Sequence, residues 1–254
     1  LAVLLVLGFA VLAIALRHDA GCPPDSAPAP GVAAFSAMVH RCYGPPQVLR
    51  LTRVAELPLA PGHVRVRVQA ASVNPLDWHF MRGEPRVMRL VSGFGAPAEP
   101  RLGADFAGVV TAVAPGVSRP RPGDRVFGIR TGSFAEFVDV RADGAIVVLP
   151  PQVDFASGAA VPIAAITALQ ALRDVGKLRP GQRVLVNGAS GGVGSFAVQI
   201  ARLMGAEVTG VSSRRNLELV RGLGAARVID YTSEDFTRDA TRWDLVVDNV
   251  RNRP

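Results

Sequence analysis

Three groups of residues in this chain have the types and spacing to do chemistry. The first is Gly188-Ala189-Ser190-Gly191-Gly192-Val193-Gly194, which directly follows the apolar run Arg183-Val184-Leu185-Val186-Asn187. Glycines let the backbone turn tightly and let a helix amino terminus come close to a pyrophosphate, where free N–H groups and the helix dipole favour an anion. The second group, Ser212-Ser213-Arg214-Arg215, stands at the end of the next apolar run, where an NAD site carries a carboxylate for the ribose hydroxyls. With no carboxylate to repel a 2′-phosphate, and two guanidiniums and two hydroxyls to hold one, this pattern favours NADPH over NADH. The plainer reading makes Arg214 and Arg215 solvated residues opening a helix, but cations there oppose the dipole. The third group is Asn74-Pro75-Leu76-Asp77, a helix cap followed by Pro at the first helical position.

The elements that must position these groups follow from periodicity. The glycine run sits between a strand over 183–187 and a helix over 195–204. Strand 207–211, helix 214–223, strand 227–229 and strand 245–248 come next, a β-α-β-α-β order that implies a parallel sheet. A glycine run alone is weak evidence, and this strand–loop–helix–strand setting makes it a dinucleotide site. A helical run over 156–175, interrupted near Pro162, precedes it. Upstream the pattern is short strands. Residues 63–69 alternate Val64, Val66 and Val68 against Arg65 and Arg67, and further strands are expected at 48–54, 106–114, 125–129, 134–140 and 145–149. Pro-Gly turns at 61–62, 115–116 and 122–123 separate several of them, and a short helix runs from Asn74 to Met81. The expected organisation is a compact barrel-like β domain over 36–158 and a nucleotide-binding domain over 159–254.

The chain has 254 residues, 49% hydrophobic and 19% charged, with 26 Gly, 20 Pro and a net charge of +7. That composition excludes a disordered acidic tail, a collagen-like repeat and a small disulfide scaffold. The charge divides as −1 over residues 1–36 and +4 over each of 37–158 and 159–254, with no basic stripe. A nucleic-acid-binding face clusters its charge, so nucleic acid is not an expected partner. Cys22 and Cys42 cannot build a disulfide framework or supply a four-thiolate zinc site. Residues 1–16 are apolar throughout, and 17–35 form a Pro/Ala-rich linker. Two readings fit the apolar segment: a membrane anchor with the catalytic part on the cytoplasmic side, or a signal peptide of an exported chain, with Ala13-Ile14-Ala15 in the small-x-small form of a cleavage site.

Several motifs together resemble the zinc-independent quinone oxidoreductase branch of the medium-chain dehydrogenase/reductase superfamily. They are residues 70–77 (AASVNPLD), 103–110 (GADFAGVV), 122–126 (PGDRV), the glycine run, and Leu223-Gly224-Ala225 leading to Asp230-Tyr231. The resemblance implies an α/β chain: a GroES-like β barrel, then a Rossmann domain, with the active site in a cleft between them and the apolar helix in front. It implies that Asn74 lines the cleft near the nicotinamide, a role compatible with capping its helix, and that Asp77 orients neighbouring backbone. Thr167 matches a Thr near the cofactor in relatives, and Tyr231 and Asn249 match positions near its ribose or adenine. With Ala189, Ser190, Gly191, Gly192, Val193, Gly194, Ser213, Arg214 and Arg215, these are the expected cofactor-binding residues. His79 is either a proton donor or a helix-surface residue.

Zinc-dependent relatives carry Cys at the position of Asn74, a His-Glu pair at Ala104-Asp105, and a further ligand at Ile163, and they have a four-cysteine structural lobe that this chain lacks. The resemblance therefore implies no metal and a carbonyl polarised by hydrogen bonds or protonated groups. The implied activity is NADPH-dependent hydride transfer to quinones or α,β-unsaturated carbonyls, with a small apolar electrophile as substrate and a homodimer as partner state. Two alternatives stay open: an NAD(P)-dependent alcohol or aldehyde dehydrogenase of the same fold, and a non-catalytic NADPH-binding sensor or scaffold. Relatives continue past the last strand with a glycine-bearing turn and more strands, whereas this chain has Arg251 at the expected Gly and stops at Pro254, having opened on Leu1 rather than Met. The expectation is a reading incomplete at both ends, whose 254-residue product alone is poorly soluble and inactive.

Overall fold

A computed structural model of the chain describes residues 13–24 and 27–250. It divides into two units between Pro162 and Ile163.

In the first unit, strands β1 (Ala34–His40) and β2 (Leu49–Ala55) pair antiparallel. A five-stranded antiparallel sheet has the order β6-β3-β4-β5-β7, with β3 at His63–Ser72, β4 at Asp105–Val113, β5 at Arg125–Ile129, β6 at Phe137–Arg141 and β7 at Ile146–Val148. Isolated bridges Ala37↔Ala135 and Val39↔Arg101 tie β1 to this sheet's loops. Val64 and Val66 of β3 pack with Phe106, Val110, Val126, Val138 and Val140 in one apolar core, as their period-2 spacing requires. Arg65, on the other face, is buried as well. Asp139 takes its guanidinium in two parallel hydrogen bonds of 2.8 Å, and Glu56 pairs with it too, so the charge is satisfied. Sequence alternation places Arg65 correctly but does not show that the face is covered. β1, with Phe35, Ala37 and Val39 buried, is the strand the periodicity misses.

The second unit is a parallel sheet of order β10-β9-β8-β11, with β8 at Arg183–Asn187, β9 at Glu207–Ser212, β10 at Arg227–Asp230 and β11 at Leu245–Asp248. Both faces are covered, and successive residues of one strand serve opposite cores. Val184 and Val186 pack with Ala197, Val198, Ala201 and Val220, whereas Leu185 joins Val211, Ile229 and Phe236. The first crossover helix runs Gly192–Leu203, beginning three residues before the expected start because the glycines themselves make its first turn. The expected helix over 214–223 resolves into a 3-10 turn, Arg214–Asn216, and a short helix, Leu217–Gly222. The run over 156–175 breaks into helix Phe155–Ala159, which belongs to the first unit, then helix Pro162–Leu169 and a π-helical turn, Gln170–Val175.

The expected apolar segment 1–16 lies outside the described residues up to residue 12, and residues 13–17 are helical. Among the described residues no helix is long and apolar enough to cross a membrane, so the expected anchor has no counterpart there. The stretch 17–35 is not a free spacer along its whole length. Cys22 and Cys42 form a disulfide with Cα atoms 4.9 Å apart, and Ala20 donates its N–H to the Gly95 carbonyl at 2.8 Å.

Gly108 shows how closely β3 and β4 approach: a Cβ there would overlap the Arg67 carbonyl oxygen and crowd Val66. Replacing Gly108 with Ala should destabilise the chain by about 1–3 kcal/mol, the usual range for overpacking, read as a lower denaturant midpoint. An unchanged midpoint would contradict this packing.

Candidate functional site

The parallel sheet brings most of the expected cofactor-binding residues to one edge. The glycine loop leaves the carboxyl end of β8, Ser212 and Ser213 the end of β9, Asp230 and Tyr231 the end of β10, and Asp248 and Asn249 the end of β11. The strand after β8 lies on one side of it and the last strand on the other, so the loop sits where strand order reverses, the place where open α/β sheets bind ligands.

Local geometry explains the glycines. Gly188 turns the chain with φ of +78°, a left-handed value that glycine adopts without strain. Gly194 lies against it: a Cβ at Gly194 would overlap the Gly188 carbonyl oxygen. Gly191 caps the helix with no side-chain hydrogen bond, so the N–H groups of Gly192, Val193 and Gly194 occupy first-turn positions that have no intrahelical acceptor. Those donors, with Ser190 ahead of them, form a cradle open to an anion. Ala189 is buried and donates its N–H to the Val211 carbonyl at 2.9 Å, so it fixes the loop to β9 rather than facing a ligand.

Asn216 is a residue the sequence reading missed. Its Nδ2 donates to Ser190 Oγ at 3.0 Å and to Ser213 Oγ at 3.4 Å, linking the glycine loop to the end of β9. Arg214 and Arg215 are exposed. Arg214 is not a bare cation at a helix start: its Nε donates to Asp230 Oδ2 at 3.3 Å, and Asp230 is nearly fully buried. Hydrogen bonds from Thr232, and then Arg214, hold the Asp230 carboxyl below its ordinary range. Tyr231 is 45% exposed, with its N–H bonded to the Ser212 carbonyl at 3.2 Å. Asn249 is exposed and bonds through its N–H and Nδ2 to the Asn187 carbonyl, both at 3.2 Å, beside Gly188. Thr167 is exposed on helix Pro162–Leu169, one turn after Ala164, whose Cβ faces Gly192 at 3.9 Å from an ideal Cβ position.

A second cluster lies in the first unit. Helix Pro75–Arg82 opens at Asn74, and Asp77 Oδ2 accepts the Asn74 backbone N–H at 2.7 Å. Asn74 Nδ2 donates to Asp105 Oδ2 at 3.1 Å and to Ser72 Oγ at 3.2 Å, while Ser72 Oγ donates to the same Asp105 oxygen at 3.0 Å. Both amide hydrogens of Asn74 are thereby used, which leaves its Oδ1 as the atom with acceptor capacity. His79 Nδ1 lies 2.6 Å from the Glu84 carbonyl, and its ring packs edge-on to Trp78, so this imidazole is tied to its own helix end. Asp77 is 2% exposed, and its Oδ1 has no hydrogen-bond partner among the described residues. Burial, against the Asn74 N–H and aided by the Asp105 charge, raises its pKa to about 6.

The residues do not fit a catalytic zinc. Asn74 and Asp105 offer one amide and one carboxylate, already bonded to each other, and the two cysteines are bonded together. Among the described residues no three His, Cys, Asp or Glu side chains gather as ligands. The glycine loop does fit a dinucleotide: Gly188 and Gly194 pack the helix start tightly onto the strand, while Gly191 and Gly192 have no atom nearer than 3.3 Å and 3.9 Å to an ideal Cβ position, which leaves the first-turn N–H groups approachable.

Because the folded-state pKa of Asp77 lies above the ordinary value of 3.8, the native chain keeps a proton that the unfolded chain has lost between those values. This carboxyl contributes stability at low pH that is lost as pH rises through about 6. The stability difference between wild type and an Asp77→Asn variant should therefore change between about pH 4 and 6 and level off above about pH 7. Denaturant unfolding across that range checks it, and a pH-independent difference contradicts it.

Comparison with known proteins agrees with this geometry. Residues 60–151 match the alcohol dehydrogenase GroES-like domain family, and residues 192–253 match the zinc-binding dehydrogenase family. The mouse mitochondrial NAD(P)H oxidoreductase RTN4IP1 is 37% identical over 231 residues, covering 82% of this chain and 57% of that one. The quinone oxidoreductase of Coxiella burnetii superposes with a TM-score of 0.77 at 31% identity, covering 85% of this chain and 68% of that one. The Escherichia coli quinone oxidoreductase solved with NADPH gives a TM-score of 0.69 at 27% identity, covering 79% and 60%. The chain thus spans a little under 60% of the mouse relative. It belongs to the medium-chain dehydrogenase/reductase superfamily, in its quinone oxidoreductase branch.

Proposed function

We propose that the protein to which this chain belongs is an NADPH-dependent, zinc-independent oxidoreductase that reduces quinones or α,β-unsaturated carbonyls. The observation that carries the reading is the glycine cradle at the reversal point of the parallel sheet, flanked by Ser213, Arg214 and Arg215. The N–H groups of Gly192, Val193 and Gly194 would hold the pyrophosphate. Ser213, Arg214 and Arg215 would hold the 2′-phosphate, with Arg214 kept in place by Asp230. Tyr231, Asn249 and Thr167 would contact the rest of the cofactor. When bound, NADPH supplies a hydride from C4 of its nicotinamide.

Within the first unit Asn74 would line the reaction site as a hydrogen-bond acceptor. Its amide hydrogens are committed to Asp105 and Ser72, so it would present Oδ1 to a hydroxyl or amide N–H of a bound molecule. Asp77 fixes the Asn74 backbone. Asp77 and Asp105 are engaged with Asn74, so the reduced acceptor would take its proton from solvent. Quinones and enones share a carbon made electrophilic by a conjugated carbonyl, so one hydride chemistry serves both. The relatives named quinone oxidoreductases support that acceptor class.

Two measurements test the reading. NADPH oxidation should proceed with quinones and alkenals and be far slower with simple aldehydes. Turnover of aldehydes alone would favour a dehydrogenase, and binding without turnover a sensor. Removing both Arg214 and Arg215 as Ala should weaken NADPH binding about 10- to 100-fold, the loss of one or two charge-assisted bonds, and leave NADH binding within about threefold. Equal losses for both nucleotides would overturn the 2′-phosphate assignment.

A further inference from the structure

Outside both clusters, a buried guanidinium joins the amino-terminal stretch to the helix that carries Asn74 and Asp77. The Arg89 side chain is 4% exposed. Its Nε donates to the Gly83 carbonyl at 3.2 Å, and Gly83 is the left-handed cap that ends helix Pro75–Arg82. Its Nη1 donates to the carbonyls of Leu16 at 3.0 Å and His18 at 3.1 Å, and its Nη2 pairs with Asp19 at 2.8 Å. The same guanidinium lies 4.6 Å over the Tyr43 ring. Tyr43 Oη in turn donates to the Gly93 carbonyl at 2.7 Å.

A buried guanidinium is tolerable only while its donors are met. Three of the four acceptors named here come from residues 16–19, and only Gly83 belongs to the body of the unit. Besides Arg89, two ties hold that stretch in place among the described residues. One is the Ala20 N–H bond to Gly95, and the other is the disulfide from exposed Cys22 to buried Cys42, the neighbour of Tyr43. If residues 16–19 leave, Arg89 is stranded beside Gly83 with most of its acceptors gone.

We propose that Arg89 is a positioning residue through which the Cys22–Cys42 disulfide sets how firmly the helix bearing Asn74 and Asp77 is held. The proposal rests on the reading of that helix as part of the reaction site. The redox step is thiol–disulfide exchange with a small dithiol. A thiolate of the dithiol attacks the exposed Cys22 sulfur and displaces Cys42 as thiolate. The second thiol then closes on the mixed disulfide and releases Cys22. Two electrons and two protons pass to the protein, and the reagent leaves as a cyclic disulfide.

Hydrogen exchange on the full chain, oxidised and after treatment with dithiothreitol, tests the coupling. Reduction should speed exchange of the amides from Leu76 to Gly83 and from Arg89 to Gly95 roughly tenfold, as loss of a loop-closing link loosens a local unit, without changing β8 to β11. Cys22→Ser should match the reduced protein and not respond to the dithiol. Arg89→Gln should exchange fast at the helix in both redox states, because the link between disulfide and helix is cut; a filler role alone would leave the redox response intact. Equal exchange of the helix in oxidised, reduced and Cys22→Ser proteins would overturn the proposal, as would a redox response that survives Arg89→Gln. The Cys22→Ser arm decides the matter if Arg89→Gln fails to fold. Exchange is read without turnover, so absence of NADPH oxidation would count against the proposed function alone.

Discussion

The close approach of Gly194 to the Gly188 carbonyl is the constraint on which the second unit turns. It sets the helix Gly192–Leu203 directly on the end of β8, so that the helix dipole and its first-turn N–H groups point at the carboxyl edge of the sheet. The remaining strands then bring Ser213, Tyr231 and Asn249 to the same edge simply by being parallel and in register. Gly210 on β9 plays a supporting part, since a Cβ there would overlap Val220 and crowd Ala189. Tight backbone packing, rather than any one polar side chain, makes the cradle.

Electrostatics refine what packing sets up. Asp230, held ionised by Thr232 and Arg214, fixes one of two exposed guanidiniums beside the cradle. In the first unit the balance runs the other way. Burial, aided by the nearby Asp105 charge, raises the pKa of Asp77. Asn74 lies between them, its backbone N–H on one carboxylate and its amide on the other, so a single residue organises the cluster.

Much of this was legible in the sequence because it depends on local pattern. Alternating valines at 64, 66 and 68 mark β3, Asn74-Pro75 marks a helix start, and the glycine run marks the cradle. What was not legible depends on distant chain segments meeting. Arg65 reads as a solvent-facing residue until Asp139, 74 residues away, is seen to cover it. Arg214 reads as an unpaired cation until β10 delivers Asp230. Asn216, which joins Ser190 to Ser213, and Arg89, which gathers Leu16, His18 and Gly83, belong to no motif. The disulfide is of the same kind, since two cysteines 20 residues apart do not announce their pairing.

The central claim is that the glycine cradle holds NADPH, and hydrogen exchange with and without NADPH reads it most directly. NADPH should slow exchange of the amides from Gly188 to Ser195 and from Ser213 to Asn216, leaving β3 to β6 unchanged. Binding of NADPH with no protection in either segment would contradict the account.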